Sequence, residues 1–361
     1  MFRPIAGIAG AGLAGLTTAI GLAQSDWPVE IFEAAPDSGW GRKGSWDAVE
    51  NWSKPADFLS LLQTWKITHD FECQPVCTFE VYDPRGECHV ITTRRPIIYL
   101  VKRGCQPGTL EYALKEQALR SGVAIHYNER RGRQDVNVWA VGAQHHGQFL
   151  GAGLRFQTHH PDTVKLLIGA RYAPKAYAYL FIVEGTGILS VVLTRNFANA
   201  RGYLQSCLEF FRRVSPFDME NVGLTSGFGG RRADFWQGEI SPLRVGEAAG
   251  FQDYLWGFGI RHALHSGYLA AQAIIQGSDY HQAVRTQIHP LVYASLLNRA
   301  FYNRAGDHTY RFLIDRFSTS SQLIELLGGR YRASMLAQLF WRFRRLPPIA
   351  ATEGGRKCKV N

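Results

Sequence analysis

The chain has 361 residues, 46 % of them hydrophobic and 19 % charged, which suits two domains or one large interleaved one and excludes a disordered chain. Six cysteines at irregular spacing are too few for a disulfide scaffold and read as free thiols in a reducing cytoplasm. Of the net charge of +10, +7 lies between Phe301 and Asn361, so the basic balance belongs to a tail and no nucleic-acid partner is expected.

The apolar run at 4–24 carries five glycines, no flanking basic cluster and no cleavage pattern, so it is neither a signal peptide nor a membrane span. Instead, residues 5–9 read as a short strand, followed directly by Gly10-Ala11-Gly12-Leu13-Ala14-Gly15. Residues 13–24 then read as a helix and 29–33 as a second strand ending in an acid. This is the strand–turn–helix–strand setting that a GxGxxG motif needs to bind a dinucleotide. Gly10 permits the tight turn, Gly12 lets backbone approach a pyrophosphate, and Gly15 lets the helix pack on the strand. The helix start offers unpaired amides to the phosphates, with Leu13 and Ala14 in its first turn. Glu33 is placed to accept hydrogen bonds from a ribose, with Ala34 beside it.

Further along, Arg42 lies in a glycine-rich loop, and Trp46 follows in a strand-like segment. Residues 79–82 and 89–92 alternate like strands around the turn Asp83-Pro84-Arg85-Gly86. Arg103 ends the segment at 99–103, before a helix with Leu110, Ala113, Leu114 and Ala118 at helical spacing. Residues 136–142 form another strand, ending at Ala140 and Gly142. Strand-like alternation returns over 149–193, where Tyr177, Tyr179 and Phe181 fall on one face.

A second glycine-rich block spans 241–260. Residues 241–251 run from a strand into a turn with Gly246 and Glu247, and Gly257-Phe258-Gly259-Ile260 opens a helix over 261–276. This block resembles one found in FAD-dependent oxidoreductases related to the geranylgeranyl reductases and, more distantly, to the p-hydroxybenzoate hydroxylase superfamily. The resemblance spans most of 5–280. It implies a Rossmann-like α/β FAD-binding domain interleaved with a β-sheet substrate domain, and FAD as cofactor.

In that family an acid in the turn binds the ribityl chain. Here it is Glu247, where the family usually has Asp, and Tyr254 stands where the family has Pro. The resemblance implies FAD contacts at Gly246, Gly257, Gly259 and Ile260, at Arg42, and at Ala140 and Gly142. Arg103 either lies near the cofactor or is a solvated helix-start residue. The segment at 176–182 resembles the reductases' aromatic substrate motif, with Ala176, Tyr179 and Ile182 for Gly, Trp and Pro. Its aromatic face is expected to wall an apolar substrate channel, the alternative being plain core. Trp46 is expected beside the ring, without the cysteine that the reductases often carry nearby.

Absent motifs narrow the chemistry. With no second GxGxxG in strand–helix context, a separate nicotinamide domain and the two-dinucleotide disulfide reductases are disfavoured; Cys73 and Cys77 read as ordinary thiols. The sequence Ala140-Val141-Gly142-Ala143 lacks the Asp-Gly pair of aromatic hydroxylases. HExxH, CxxC and GxSxG are also missing, and His262 and His265 read as packing, so no metal is expected.

The expected division is an FAD domain at 1–60, 98–148 and 236–280, a substrate domain at 61–97 and 149–235, and a helical C-terminal region at 281–350. Helices are expected at 281–303, 310–317, 321–327 and 332–345, before a disordered tail at 351–361. In the last helix Leu336, Leu339, Phe340 and Phe343 share a face, which fits either docking on an anionic membrane or packing on the FAD domain. The expected activity is hydride transfer from reduced flavin to a carbon–carbon double bond of a small apolar, isoprenoid or lipid-like substrate. The proton would come from water, Tyr177 or Tyr179, and an external donor, NAD(P)H or a redox protein, would reduce the flavin. The alternatives are a flavin monooxygenase or halogenase-like oxidase, and a flavin-bound sensor without turnover.

Overall fold

The computed structural model describes residues 3–142, 147–230, 242–318 and 322–331. Its first layer is a five-stranded parallel sheet in the order Leu243–Arg244, Val138–Trp139, Ala6–Ala9, Val29–Glu33, Ala124–Tyr127. The helix Leu13–Ala23 follows the first strand and has no charged residue. A helix apolar all round must be buried on all sides, and ten of its eleven residues are.

It packs against the later helix Ile260–Gln276 through small residues. A Cβ on Gly267 would lie 2.4 Å from the Ala14 carbonyl, and one on Gly21 would lie 2.8 Å from Ala271 Cβ. Only glycine at these points lets the two backbones approach so closely. The two helices that open toward the candidate cofactor site are thereby fixed relative to each other.

The second layer is a seven-stranded sheet in the order Glu220–Gly229, Phe149–Gln157, Thr186–Leu193, Tyr177–Val183, Thr163–Leu167, Thr78–Tyr82, Cys88–Thr92. All neighbours are antiparallel except Thr163–Leu167 with Thr78–Tyr82. One face is covered by the helix Ala200–Val214, whose Leu204, Cys207, Phe210 and Phe211 pack on Leu150, Phe156, Leu180 and Leu189. The other face looks onto a cavity.

A three-stranded sheet, Ser45–Glu50, Ile98–Arg103, Cys73–Val76, joins the two layers. Residues 61–97 are therefore shared: Cys73–Val76 pair with Ile98–Arg103, while the hairpin Thr78–Tyr82 and Cys88–Thr92 belongs to the large sheet.

The helix expected over 281–303 is two helices, Tyr280–Gln287 and His289–Arg304, broken at Ile288. Pro290 explains the break, because it has no N–H to continue a ladder and suits the first turn of a new helix. The helices Asp307–Ser318 and Leu323–Tyr331 follow, with Tyr310, Ile314, Leu323 and Tyr331 packed on Trp52, Phe79 and Ile91. Among the described residues no helix is long and apolar enough to cross a membrane. The helix expected at 332–345 and the tail at 351–361 lie outside the described residues.

Candidate functional site: glycine-rich turns joined to an aromatic compartment

The glycine-rich turn divides into structural and open positions. Gly10 has φ +101°, and a Cβ there would lie 2.5 Å from the Ala140 carbonyl. A Cβ on Gly15 would lie 2.0 Å from the Gly10 carbonyl. Both glycines serve the fold, and neither lines the cavity. Gly12 is different: its φ of −84° suits any residue, and a Cβ there meets nothing within 4 Å. It faces the cavity together with Leu13 and Ala14, at a helix start that has no side-chain cap. Uncapped N-terminal amides over open space are the donor set a pyrophosphate needs.

Glu33 closes the adjoining corner. Its Oε2 accepts from Ala11 N at 2.7 Å and its Oε1 from Ala35 N at 2.8 Å. A carboxylate accepts about four hydrogen bonds, so each oxygen keeps capacity for a ribose hydroxyl. Ala35 rather than Ala34 lines the cavity, and Ala34 is exposed. Ala140 and Gly142 border the same space.

The second glycine block arrives from the opposite side. Gly246 has φ +59°, donates its N–H to Ser266 Oγ at 2.8 Å, and sits where a Cβ would come within 2.9 Å of Ala14 Cβ. Glu247 lines the cavity and accepts from Gly230 N at 3.0 Å, a reach that the extra methylene over Asp makes possible. Tyr254 is buried and donates to the Gly250 carbonyl at 3.0 Å. The turn into the next helix is closed by Asp253 N donating to the Phe258 carbonyl at 2.7 Å. Gly257, Gly259 and Ile260 all border the cavity, and the helix starting at Ile260 also lacks a side-chain cap. Two uncapped helix starts and two carboxylates around one space fit an extended dinucleotide such as FAD.

Arg103 is not a solvated helix-start residue: it is buried and borders the cavity. It is held in an ion-pair network, its Nε 2.8 Å from Glu111 Oε1 and its NH1 2.9 Å from Asp47 Oδ2, with NH2 also on Glu111. Burial pulls its pKa down, but Glu111 and Asp47 outweigh it and hold the guanidinium above its ordinary value. Arg42 approaches the same Asp47 at 3.4 Å from a more exposed position. All four residues line the cavity. Asp47 and Glu111 were not singled out from the sequence.

Tyr177, Tyr179 and Phe181 share the cavity face of their strand, while Ala178, Leu180 and Ile182 point into the core beneath Ala200–Val214. Tyr179 stacks on Phe181 with ring centres 4.4 Å apart, and Tyr177 meets Trp256 edge-on at 5.6 Å. Burial raises both phenols, Tyr179 to about 12. The Tyr177 hydroxyl donates to the Trp256 carbonyl, so its proton is engaged. Trp46 is fully buried in the strand pairing of Ser45–Glu50 and does not border the cavity. Trp52 and Trp256 do.

The whole space measures about 1650 Å³ and runs without interruption from Gly12 and Glu33 to Phe79, Ile91, Phe181, Leu313 and Leu323. Among the described residues two groups have metal-ligand spacing, Asp83 with Glu87 and His89, and His159 with Asp218 and Glu220. Neither borders the cavity, and Arg311 pairs with both Asp83 and Glu87.

No family model and no curated protein matches the chain in sequence. Solved structures do match in fold. A geranylgeranyl bacteriochlorophyll reductase-like protein from Thermoplasma acidophilum is 16 % identical with a TM-score of 0.66, over 96 % of this chain and 98 % of that one. A flavin-dependent brominase is 15 % identical with a TM-score of 0.61, over 95 % and 98 %. The p-nitrophenol 4-monooxygenase of Pseudomonas putida is 12 % identical with a TM-score of 0.59, over 92 % and 99 %. At these identities the likeness establishes the fold alone, a fold shared with a reductase-like protein, a flavin-dependent brominase and a monooxygenase.

Proposed function

We propose that this chain is an FAD-dependent oxidoreductase that reduces a carbon–carbon double bond of an apolar, isoprenoid or lipid-like substrate. The observation that carries this reading is the single cavity joining the uncapped glycine turns to a wall of Tyr179, Phe181 and aliphatic side chains. When bound, FAD supplies the hydride; the protein supplies position and electrostatics. Gly12, Glu33, Glu247 and the helix start at Ile260 would hold the cofactor. Asp47, Arg103 and Glu111 form a rigid charged border between the cradle and the aromatic wall.

Tyr179, kept protonated by burial, holds a proton at Oη on the cavity face. The helices Asp307–Ser318 and Leu323–Tyr331 exclude water from the apolar end through Leu313, Phe317 and Leu327. No second dinucleotide fingerprint is present in the sequence, so electrons come from an external donor, either NAD(P)H or a redox protein.

A second reading, oxygen chemistry on an aromatic substrate, is supported by the brominase and the monooxygenase among the fold neighbours. Anaerobic reduction followed by an isoprenoid separates the two. Flavin reoxidation with a saturated product supports the first reading. Reoxidation only by oxygen, coupled to substrate oxidation, supports the second. Bound flavin with no substrate-linked reoxidation by either route would leave a flavin-bound sensor.

A further inference from the structure

Five of the described arginines border the cavity, and Arg304 and Arg330 among them are exposed. Arg42 and Arg103 meet carboxylates, whereas Arg155 makes no ion pair or hydrogen bond with another described residue through its side chain. It is half-buried and borders the cavity. Strand alternation places it there: Phe149, Gly151 and Arg155 border the cavity, while Leu150, Ala152, Leu154 and Phe156 pack on the opposite core. The strand partner of Arg155 on one side is Gly223, which has no side chain and where a Cβ would have only the Arg155 carbonyl, 4.0 Å away. Glu220, the nearest acid along that strand, pairs in register with Gln157 and is exposed. Arg155 thus borders the cavity with no anion among the described residues to pair with, which leaves its guanidinium free to pair with a ligand that supplies one.

The register on the other side shows what such a ligand would carry. Arg155 pairs with Ile188, Ile188 with Phe181, and Phe181 with Val164. From Lys165 opposite Glu80, the next step in that row is Phe79, which pairs with Ile91. Every member of this cross-strand row borders the cavity. Five inter-strand steps of about 4.8 Å make an apolar track of about 24 Å with one cation at its end.

We propose that Arg155 anchors the oxyacid head, carboxylate or phosphate, of a long-chain amphiphile whose tail lies across Ile188, Phe181, Val164 and Phe79. This deepens the reductase reading by making the substrate an anionic amphiphile rather than a neutral lipid, and it rests on that reading for the redox step alone.

The test compares three probes with one tail, oleate, oleyl phosphate and oleyl alcohol, by calorimetry on the purified protein below their aggregation concentrations. The wild type should bind at least one anionic probe about tenfold or more tightly than the alcohol, the worth of one charge-assisted contact. Preference for oleate assigns a carboxylate head, and preference for oleyl phosphate assigns a phosphate. Arg155→Gln should abolish the preference while leaving alcohol affinity, flavin content and melting temperature unchanged. Arg155→Lys should restore part of it. Equal wild-type affinities for all three probes would overturn the anchor, as would a preference that survives Arg155→Gln. Loss of NADPH affinity in Arg155→Gln, measured by the same calorimetry, with unchanged affinities for the three probes would overturn it too. If the preference depends on Arg155 but reduced flavin is not reoxidised by any unsaturated amphiphile, the anchor stands and the reductase reading fails. If reoxidation occurs equally well with neutral substrates and in Arg155→Gln, the reductase reading stands and the anchor fails.

Discussion

A single Cβ at the glycine-rich turn separates cofactor binding from folding. At Gly12 it would enter open space from an ordinary backbone conformation, so Gly12→Val should fold and melt like the apoprotein, yet purify colourless. At Gly15 the same Cβ would collide with the Gly10 carbonyl, so Gly15→Val should fail to give soluble protein. Full yellow occupancy in Gly12→Val would show that this turn does not cradle the phosphates.

The arginines make a similar pair. Removing Arg103 leaves Glu111 buried without its cation, so Arg103→Ala should cost about 3–5 kcal/mol in denaturant unfolding. Arg42 pairs with Asp47 at 3.4 Å with half its side chain in water, and Arg42→Ala should cost under about 1 kcal/mol. Equal losses would mean that Arg103 is as solvated as a helix-start arginine.

The strand Tyr177–Val183 carries two surfaces with different duties. Its cavity face is legible in sequence because period-two alternation needs no knowledge of the partner strands. Which face borders a cavity and which is core is decided by the helix Ala200–Val214, which covers the Leu180 side. Tyr179→Ala should therefore retain flavin and most stability but lose substrate turnover. Leu180→Ala, one residue along and fully buried, should cost about 3 kcal/mol while leaving substrate affinity unchanged. A large melting loss with unchanged kinetics in Tyr179→Ala would assign that face to the core.

The same logic explains the reach of the sequence elsewhere. Gly10, Gly15 and Gly246 are legible because each close approach demands glycine at one position. The Arg103 network is not, because Asp47 lies 56 residues away and joins only when Ser45–Glu50 pairs with Ile98–Arg103. Trp46 was expected beside the flavin because of its loop; the pairing of its strand turns it into the core instead, and Trp52 and Trp256 take the cavity. The Arg155 row needs the register of six strands, which no local pattern carries.

Across the whole molecule, buried titratable groups should set how stability responds to pH. His262 lies on the buried side of the helix Ile260–Gln276 with neither ring nitrogen hydrogen-bonded, and burial, then Arg261, lowers its pKa to about 3. Burial and Lys54 lower His265 to about 3, and burial and Arg285 lower His289 to about 4. Above pH 6.5 these groups are neutral in both the folded and unfolded states and cost nothing. As pH falls below 6.5 the unfolded chain takes up protons that the folded chain refuses, so stability drops. At pH 5 each such histidine costs about 2 kcal/mol.

Glu50 acts in the opposite sense. Burial raises it to about 7 against the pull of Arg261, so the folded chain holds its proton over pH 4.5–7 and that stabilisation is lost as pH rises through 7. Three histidines outweigh one glutamate below pH 6.5, so the melting temperature should peak near neutrality and fall steeply toward pH 5. His262→Phe replaces an unpartnered buried ring by an apolar one of similar size. It should recover about 2 kcal/mol at pH 5 relative to pH 7 and leave the alkaline limb and flavin content untouched, since His262 does not border the cavity. An acid limb of unchanged slope in His262→Phe would mean that this ring is protonated in the folded chain, and that an anion or water reaches it inside the helix packing.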